Sequence, residues 1–296
     1  MKLLTIIVTY NAMKWAERCF HSLQTSTIIP DVFIVDNGST DGTQAFIMEQ
    51  FPSFFFRQNE TNLGFGKANN IGLQYALDNN YDYVYLLNQD AWVMPDTFEK
   101  LIEISIKHPE FGILSPMQMK ADRNHLDDKF VNRVICYHQK VKPFIIEDLF
   151  FNREEDIYEV SFVMAAHWLI TRKCIDTVGG FSPSFYHYGE DNNYIHRTNY
   201  WKLKVGIVPC AKAVHDRSNP IWDCKNEKHI RYVQTIEAVS NPLQKQSLYR
   251  LFVSKVKHSI RHRDKDDFIY AYKLFQNRKS LIQNYEKSLV KKAFLA

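Results

Sequence analysis

The chain has 296 residues, 45% hydrophobic, 14% aromatic and 24% charged, enough to bury one large α/β core or a core with an appendage. Its net charge of +4 is unevenly placed: from Lys225 onward 16 Lys/Arg face 6 Asp/Glu, a local +10, which leaves the first 224 residues at −6. Five scattered cysteines (Cys19, Cys136, Cys174, Cys210 and Cys224), none in CxxC spacing, argue against a zinc site or disulfide framework and for a reducing compartment.

The first half alternates short apolar runs with helical patterns. Strands are predicted over Leu3–Val8, Val32–Val35, Phe54–Phe56 and Tyr83–Leu87, and helices over Trp15–Leu23, Thr43–Gln50, Lys67–Leu77 and Thr97–Lys107. That alternation means βαβ units and a parallel sheet. Between Leu126 and Glu159 the pattern is lost, which reads as an irregular loop or flap. Order returns over Val160–Thr171, followed by a helix from about Glu190 and a strand over Lys204–Val208. Beyond Pro220 the chain reads as helical and basic, so a catalytic domain over 1–220 and a basic helical extension over 221–296 are expected. The start is too short for a signal-peptide apolar region, and no stretch reaches transmembrane length. A cytoplasmic protein is expected, with possible peripheral contact at the inner face of the cell membrane.

Four segments carry chemistry. Tyr85-Leu86-Leu87-Asn88-Gln89-Asp90 ends a strand in an amide and a carboxylate, at the sheet edge where open α/β folds bind ligands. Those oxygens suit a hard divalent cation carrying phosphate oxygens. Asp36-Asn37-Gly38-Ser39-Thr40-Asp41-Gly42 closes the second strand, either as a ligand-facing turn or as an ordinary turn capping the next helix. Gly179-Gly180-Phe181 through Tyr188-Gly189-Glu190-Asp191 leads into a helix that opens with two acids, a candidate general base or merely favourable helix-end charges. His215 after Val208-Pro209 is a candidate metal ligand, though a lone histidine is more often structural. Asn62-Leu63-Gly64-Phe65-Gly66-Lys67-Ala68-Asn69 imitates a dinucleotide fingerprint, but Asn69 stands where a third glycine belongs, and the motif follows the third strand. No GxxxxGK[ST] occurs.

Taken in order, Thr9-Tyr10-Asn11, the Asp36–Gly42 turn, Asn62 to Asn70, Leu87 to Asp90, Gly179 to Asp191 and His215 resemble the inverting family 2 glycosyltransferases of the GT-A fold. The likeness spans about residues 1–218 and is nearest to bacterial rhamnosyltransferase-like and galactofuranosyltransferase-like members. It implies a mixed, mostly parallel sheet flanked by helices, with a helical C-terminal appendage. It places a nucleotide-diphospho-sugar, UDP- or dTDP-linked, on Thr9, Tyr10, Asn11, Asp36, Gly38, Ser39, Asn62, Gly64, Phe65, Gly66, Asn69, Asn88, Gln89 and Asp90. Tyr10 would lie against the base and Asp36 would recognise it. Asp90 and His215 would hold Mg²⁺ or Mn²⁺, with one carboxylate where relatives often have two. Asp191 would be the catalytic base, with Glu190 as second choice, and His167 and Trp168 would adjoin the acceptor. That acceptor is a glycan or lipid-linked sugar of surface polysaccharide synthesis. No nucleic-acid partner is expected, and an oligomer is left open.

Two rivals remain. A sugar nucleotidyltransferase would need a glycine-rich basic loop after the first strand, and Thr9 to Arg18 has no glycine. A non-catalytic sugar-nucleotide-binding protein on the same fold is favoured only by the single carboxylate at Asp90. The basic tail, with Phe252, Ile260, Phe268 and Phe275 among its lysines and arginines, suits either an anionic membrane surface or a packed helical element.

Overall fold

The alternating first half closes as four parallel strands. They are β1 (Leu3–Thr9), β2 (Asp31–Asp36), β3 (Phe55–Gln58) and β4 (Tyr83–Asn88), joined by α1 (Met13–Gln24), α2 (Thr43–Gln50) and α3 (Phe65–Asp78). The structure is a computed structural model that describes residues 1–136, 145–217 and 224–295. Next come β5 (Ala91–Val93), α4 (Thr97–Lys107) and β6 (Phe111–Met119). A short α5 (Asp128–Phe130) runs into a π turn, Val131–Ile135, and is followed by α6 (Ile145–Phe150) and β7 (Tyr158–Glu159). The catalytic half ends with β8 (His167–Thr171), α7 (Arg172–Val178), α8 (Glu190–Tyr200) and β9 (Lys204–His215). The extension carries α9 (Cys224–Ser240), α10 (Leu248–His262), α11 (Lys265–Gln276) and α12 (Arg278–Ser288).

The sheet runs β3-β2-β1-β4-β8-β6-β9-β5, with β7 paired to β9. Strands β1 to β4 are mutually parallel where they pair, and β8 runs antiparallel to both β4 and β6. The strand order turns back between β1 and β4, so their carboxyl ends open a crevice in which a ligand can sit. In register, Val8 lies beside Asn88 and Thr9 beside Asp36. Alternation along β1 sends Leu4 and Ile6 into one apolar layer and Leu3 and Ile7 into the other, so the sheet is covered on both faces.

Three strand expectations need correction. Phe111–Met119 forms a strand that no expectation covered, although it holds Gly112 and Pro116, residues that strand interiors disfavour. Pro116 is accommodated where the ladder jumps: Pro116 pairs with Val208 but Met117 with Lys212, leaving Pro209, Cys210 and Ala211 in a bulge. Beyond the bulge β9 continues to His215, seven residues past its expected end. Of the Val160–Thr171 stretch, only the part from His167 is strand. The irregular flap expected over 126–159 holds only short elements where it is described; residues 137–144, and the Pro220 boundary, lie outside the described residues.

The extension is bonded to the catalytic half. Val233 and Ile236 of α9, with Leu274 and Leu281, form a small apolar cluster around Phe185. The Gly180 amide donates to the Ala293 carbonyl at 2.8 Å, and the Lys292 amide to that of Thr177. Gly179, at φ 85°, has no room for a side chain, since a Cβ there would run into the backbone of Ala293.

Candidate active site

The crevice has two lobes that share Phe65, Asn88 and His187. The first, about 430 Å³, is walled by Tyr10 and Trp15 on one side and Asn62, Gly64 and Tyr186 on the other, with Asn37, Gln89 and Asp90 reaching into it. The second, about 190 Å³, has Met164, Ala165 and Ala166 along one wall and Glu190 and Asp191 at its end. Lys129, Arg133, His215 and Arg217 line the same lobe.

Half of the expected donor residues line the first lobe: Tyr10, Asn62, Gly64, Phe65, Asn88, Gln89 and Asp90. Tyr10 is 49% exposed and free to stack on a planar ring. Gln89 also clamps the backbone, its Oε1 accepting from the Tyr10 amide at 2.7 Å while its Nε2 donates to the Tyr10 carbonyl. The other half do not line it. Asp36 is 0% exposed, and its carboxylate accepts from the Thr9 and Ser39 hydroxyls at 2.7 and 2.5 Å. It also accepts from the amides of Gly38 and Ser39 and from Gln44. Both carboxylate oxygens are engaged inside the turn, so Asp36 builds the loop. Asn11 likewise accepts from the Thr40 amide, and Asn69 donates to the Phe65 carbonyl. Gly66 is required by packing, since a Cβ would come within 2.9 Å of the Phe181 Cβ.

Sequence reasoning passed over Asn37, Trp15, Tyr186 and His187. Asn37 follows the buried aspartate and was the detectable one: strand alternation turns it toward the cleft if Asp36 faces inward. Its Oδ1 accepts from Asn59 and from the Leu63 amide, which holds it at the lobe's inner edge. Trp15 is fixed by its indole, which donates to Asp216 just past β9.

The acceptor assignments of His167 and Trp168 are corrected. Both are 0% exposed. The His167 Nδ1 accepts from the Tyr85 hydroxyl at 2.8 Å and its Nε2 donates to the Val214 carbonyl at 3.0 Å, so the ring braces the strand that carries His215. Burial and the neighbouring His215 push its pKa down to about 3, which keeps it neutral. Trp168 stacks on Phe181, which in turn packs on Tyr194 beneath α8. The residues just before them, Met164 to Ala166, are the ones that face the second lobe.

The acidic helix is aimed from below. Arg197, wholly buried, donates to the Gly180 carbonyl at 2.6 Å and to that of Val178, with its guanidinium over the rings of Tyr194 and Phe294. Asn70 on α3 reaches across to the Phe181 backbone, accepting from its N–H and donating to its carbonyl. Gly189 then takes a left-handed turn, φ 85°, into α8. First-turn carboxylates normally gain as anions from a helix dipole. Here burial wins: it is the main cause that raises the pKa of both Glu190 and Asp191. Glu190 is raised further by the charges of Asp191 and Glu237, whereas Arg133 and Arg217 pull Asp191 the other way. Glu237 comes from α9, where its Oε1 accepts from the Asn192 side chain at 3.0 Å, and burial pushes it up to about 7. The Glu190 Oε2 is buried with no hydrogen-bond partner among the described residues. Raised carboxylates at the end of a cleft are a proton-accepting arrangement.

Residues 5–175 match the family model of Glycosyl transferase family 2. The chain belongs to that family. This family 2 glycosyltransferase is 26% identical over 232 residues to an N-acetylglucosaminyl-diphospho-decaprenol L-rhamnosyltransferase of Mycobacterium tuberculosis, across 72% of this chain and 76% of the relative. It is 29% identical over 106 residues to an undecaprenyl-phosphate mannosyltransferase of Micrococcus luteus, across 35% of this chain and 44% of that one. The fold superposes on S. aureus TarS 1–349 in complex with UDP with a TM-score of 0.58 at 16% identity, over 97% of this chain and 90% of that one. On GalNAc-T7 with UDP, GalNAc and Mn²⁺ the TM-score is 0.58 at 15% identity, over 82% and 50%. The glycosyltransferase has the GT-A fold.

In this glycosyltransferase the strand-end pair is tight. His215 Nε2 stands 3.4 Å from Asp90 Oδ1, in register because Ala91 pairs with His215 across β5 and β9. Burial alone would raise the Asp90 carboxyl, but the hydrogen bond and charge of His215, with the charge of Arg217, hold it below the usual carboxylate range. An ionised carboxylate and an imidazole are fitting ligands for Mn²⁺ or Mg²⁺. No cluster of three or more His, Cys, Asp or Glu ligands occurs among the described residues, so the pair suits a cation whose other ligands come from donor phosphates and water.

Proposed function

We propose that the enzyme transfers a sugar from a UDP- or dTDP-linked donor to a hydroxyl of a glycan or lipid-linked acceptor, with inversion. The observation that carries this reading is that one crevice brings two chemistries together. Gln89 and Asp90 line one lobe, the raised Glu190–Asp191 pair lines the other, and Asn88 lines both. The nucleotide would occupy the first lobe, with its base on Tyr10 beside Asn37 and its diphosphate toward Asn88 and Asp90.

Asp191 accepts the proton of the acceptor hydroxyl as that oxygen attacks the anomeric carbon from the face opposite the diphosphate. Its raised pKa makes it a stronger base than an exposed aspartate. The bond to the diphosphate oxygen breaks in the same displacement, so the configuration inverts and no covalent intermediate forms. A divalent cation held by Asp90 and His215 would neutralise charge on the leaving diphosphate. Arg217, close enough to Asp90 to lower its pKa, contributes positive charge on the same side.

No helix among the described residues is long and apolar enough to cross a membrane. Peripheral contact at the inner face of the cell membrane is supported by the extension, where Tyr249, Ile260, Phe268 and Tyr272 are exposed among basic residues of α10 and α11. A groove of about 630 Å³ between these helices and α12 is lined by Leu248, Phe252, Phe275 and Ile282 and rimmed by Lys245 and Arg278. A screen of UDP- and dTDP-sugars for donor hydrolysis and transfer, with and without Mn²⁺, tests the proposed activity. Turnover of at least one such donor is expected, and nucleotide binding without any turnover would leave a non-catalytic binder.

A further inference from the structure

The second lobe carries more positive charge than the transfer of a proton explains. Lys129 and Arg133 project from the short turn of α5 and the π segment, and Arg217 from the residues just after β9, all onto the lobe that ends in Asp191. Among the described residues only Arg217 has an acidic partner: its Nε donates to Asp127 Oδ2 at 2.9 Å. Its Nη2 is buried and without a hydrogen-bond partner among the described residues. Arg133 lies with its guanidinium 5.0 Å from the centre of the Phe162 ring, which holds it in place without neutralising it. Lys129 has no carboxylate within ion-pair distance among the described residues. Partial burial, then the charges of Arg217 and Arg133, push its ammonium pKa down against the opposing charge of Asp127.

We propose that Lys129 and Arg133, with the free edge of Arg217, bind a phosphate group carried by the acceptor, placing its sugar hydroxyl against Asp191. The inference rests on the reading of this lobe as the acceptor's. Two cations and a buried, unpaired N–H edge suit phosphate oxygens, which take several charge-assisted hydrogen bonds at once. A neutral sugar would leave these charges facing only the carboxylates of α8. The lobe's modest size, about 190 Å³, admits a phosphate and one sugar ring rather than a long oligosaccharide. A phosphate here would share the lobe with the base.

Calorimetric titration of the protein first saturated with UDP and Mn²⁺ tests the proposal. Glucose 1-phosphate and undecaprenyl phosphate in detergent micelles are the phosphate-bearing probes, with glucose and phosphate-free micelles as their controls. At least one phosphate probe should bind at least about tenfold more tightly than its control, and which one does so distinguishes a soluble from a lipid-borne phosphate. In Lys129→Ala/Arg133→Ala, and in the milder Arg133→Gln, that difference should shrink while UDP affinity stays within about twofold. Both side chains are exposed, so unchanged melting by circular dichroism is expected of these variants. Equal binding of each probe and its control by the wild-type protein would overturn the proposal. So would loss of UDP affinity in the variants, which would assign these cations to the donor diphosphate, or displacement of UDP by the probes. A wild-type protein that fails to bind UDP at all would instead defeat the donor reading.

Discussion

Glu237→Gln separates charge from packing at the acidic end of the cleft. The glutamine keeps an oxygen to accept from Asn192, which now lies 3.0 Å from Glu237 Oε1, and removes only the negative charge. Burial raises the Glu237 pKa from the ordinary 4.5 to about 7. Because the folded-state value is the higher one, the group costs nothing below pH 4.5 and destabilises the fold increasingly as pH rises to about 7. At about 1.4 kcal/mol per pH unit between those values, the full cost is about 3 kcal/mol. Urea unfolding should therefore find the variant more stable by about 2–3 kcal/mol at pH 8.5, and by about 1 kcal/mol or less at pH 5. The charge of Asp191 also raises Glu237, and that repulsion is mutual, so removing the Glu237 charge should also move the acidic limb of the kcat/KM profile to lower pH. A stability gain equal at both pH values would refute the electrostatic reasoning, and an unmoved acidic limb would detach Glu237 from the base.

Asp191→Asn should lower kcat by about 10²–10⁴ while UDP affinity changes by no more than a few-fold, since only the proton acceptor is lost; near-normal turnover would shift the role to Glu190. Asp90→Ala should weaken both Mn²⁺ and UDP in calorimetric titration, and unchanged affinities would make the strand end purely structural. His167→Ala removes a buried ring hydrogen-bonded at both nitrogens and should cost about 2–4 kcal/mol in urea unfolding. Because His167 touches no part of the cleft, its acceptor KM should move little, and a large KM effect at unchanged stability would restore it to the acceptor site. Sedimentation with anionic vesicles, but not neutral ones, is expected for the intact chain and should fall when Tyr249, Ile260 and Phe268 are replaced by serine. Indifference to vesicle charge would leave the extension as a packing element.

The elements that position the site were legible where pattern and chemistry agreed. Leu3–Val8, Tyr83–Leu87 and the helix from Glu190 announce themselves by apolar period and by polar termini, and the structure has them. Phe111–Met119 was hidden because its proline is tolerated only through a bulge formed with a distant strand. The donor motifs pointed to the right crevice but did not separate lining from scaffold. Asp36 and Asn37 are adjacent polar residues at a strand end, and only the three-dimensional turn decides that the carboxylate is spent internally. Glu237, Arg133 and Arg217 were beyond reach for a different reason. Each arrives from an element with no motif of its own, and their meaning lies in the charge they place near Asp191.

The loop from Phe181 to Gly189 gives the two lobes a common wall: Tyr186 borders the first, Tyr188 the second, and His187 both. Tyr188 and Gly189 are both left-handed, at φ 70° and 85°, so the wall ends in a sharp turn into α8. It is also tied to the first lobe, through the Tyr186 hydroxyl on the Asn62 carbonyl. A nucleotide in the first lobe would touch the same loop that borders the second substrate's lobe. Any effect of one ligand on the other through this shared wall would run both ways: whatever factor the donor imposes on acceptor affinity, the acceptor must impose on the donor. An ordered mechanism, nucleotide first, would then reflect the geometry of nine residues and need no separate gate.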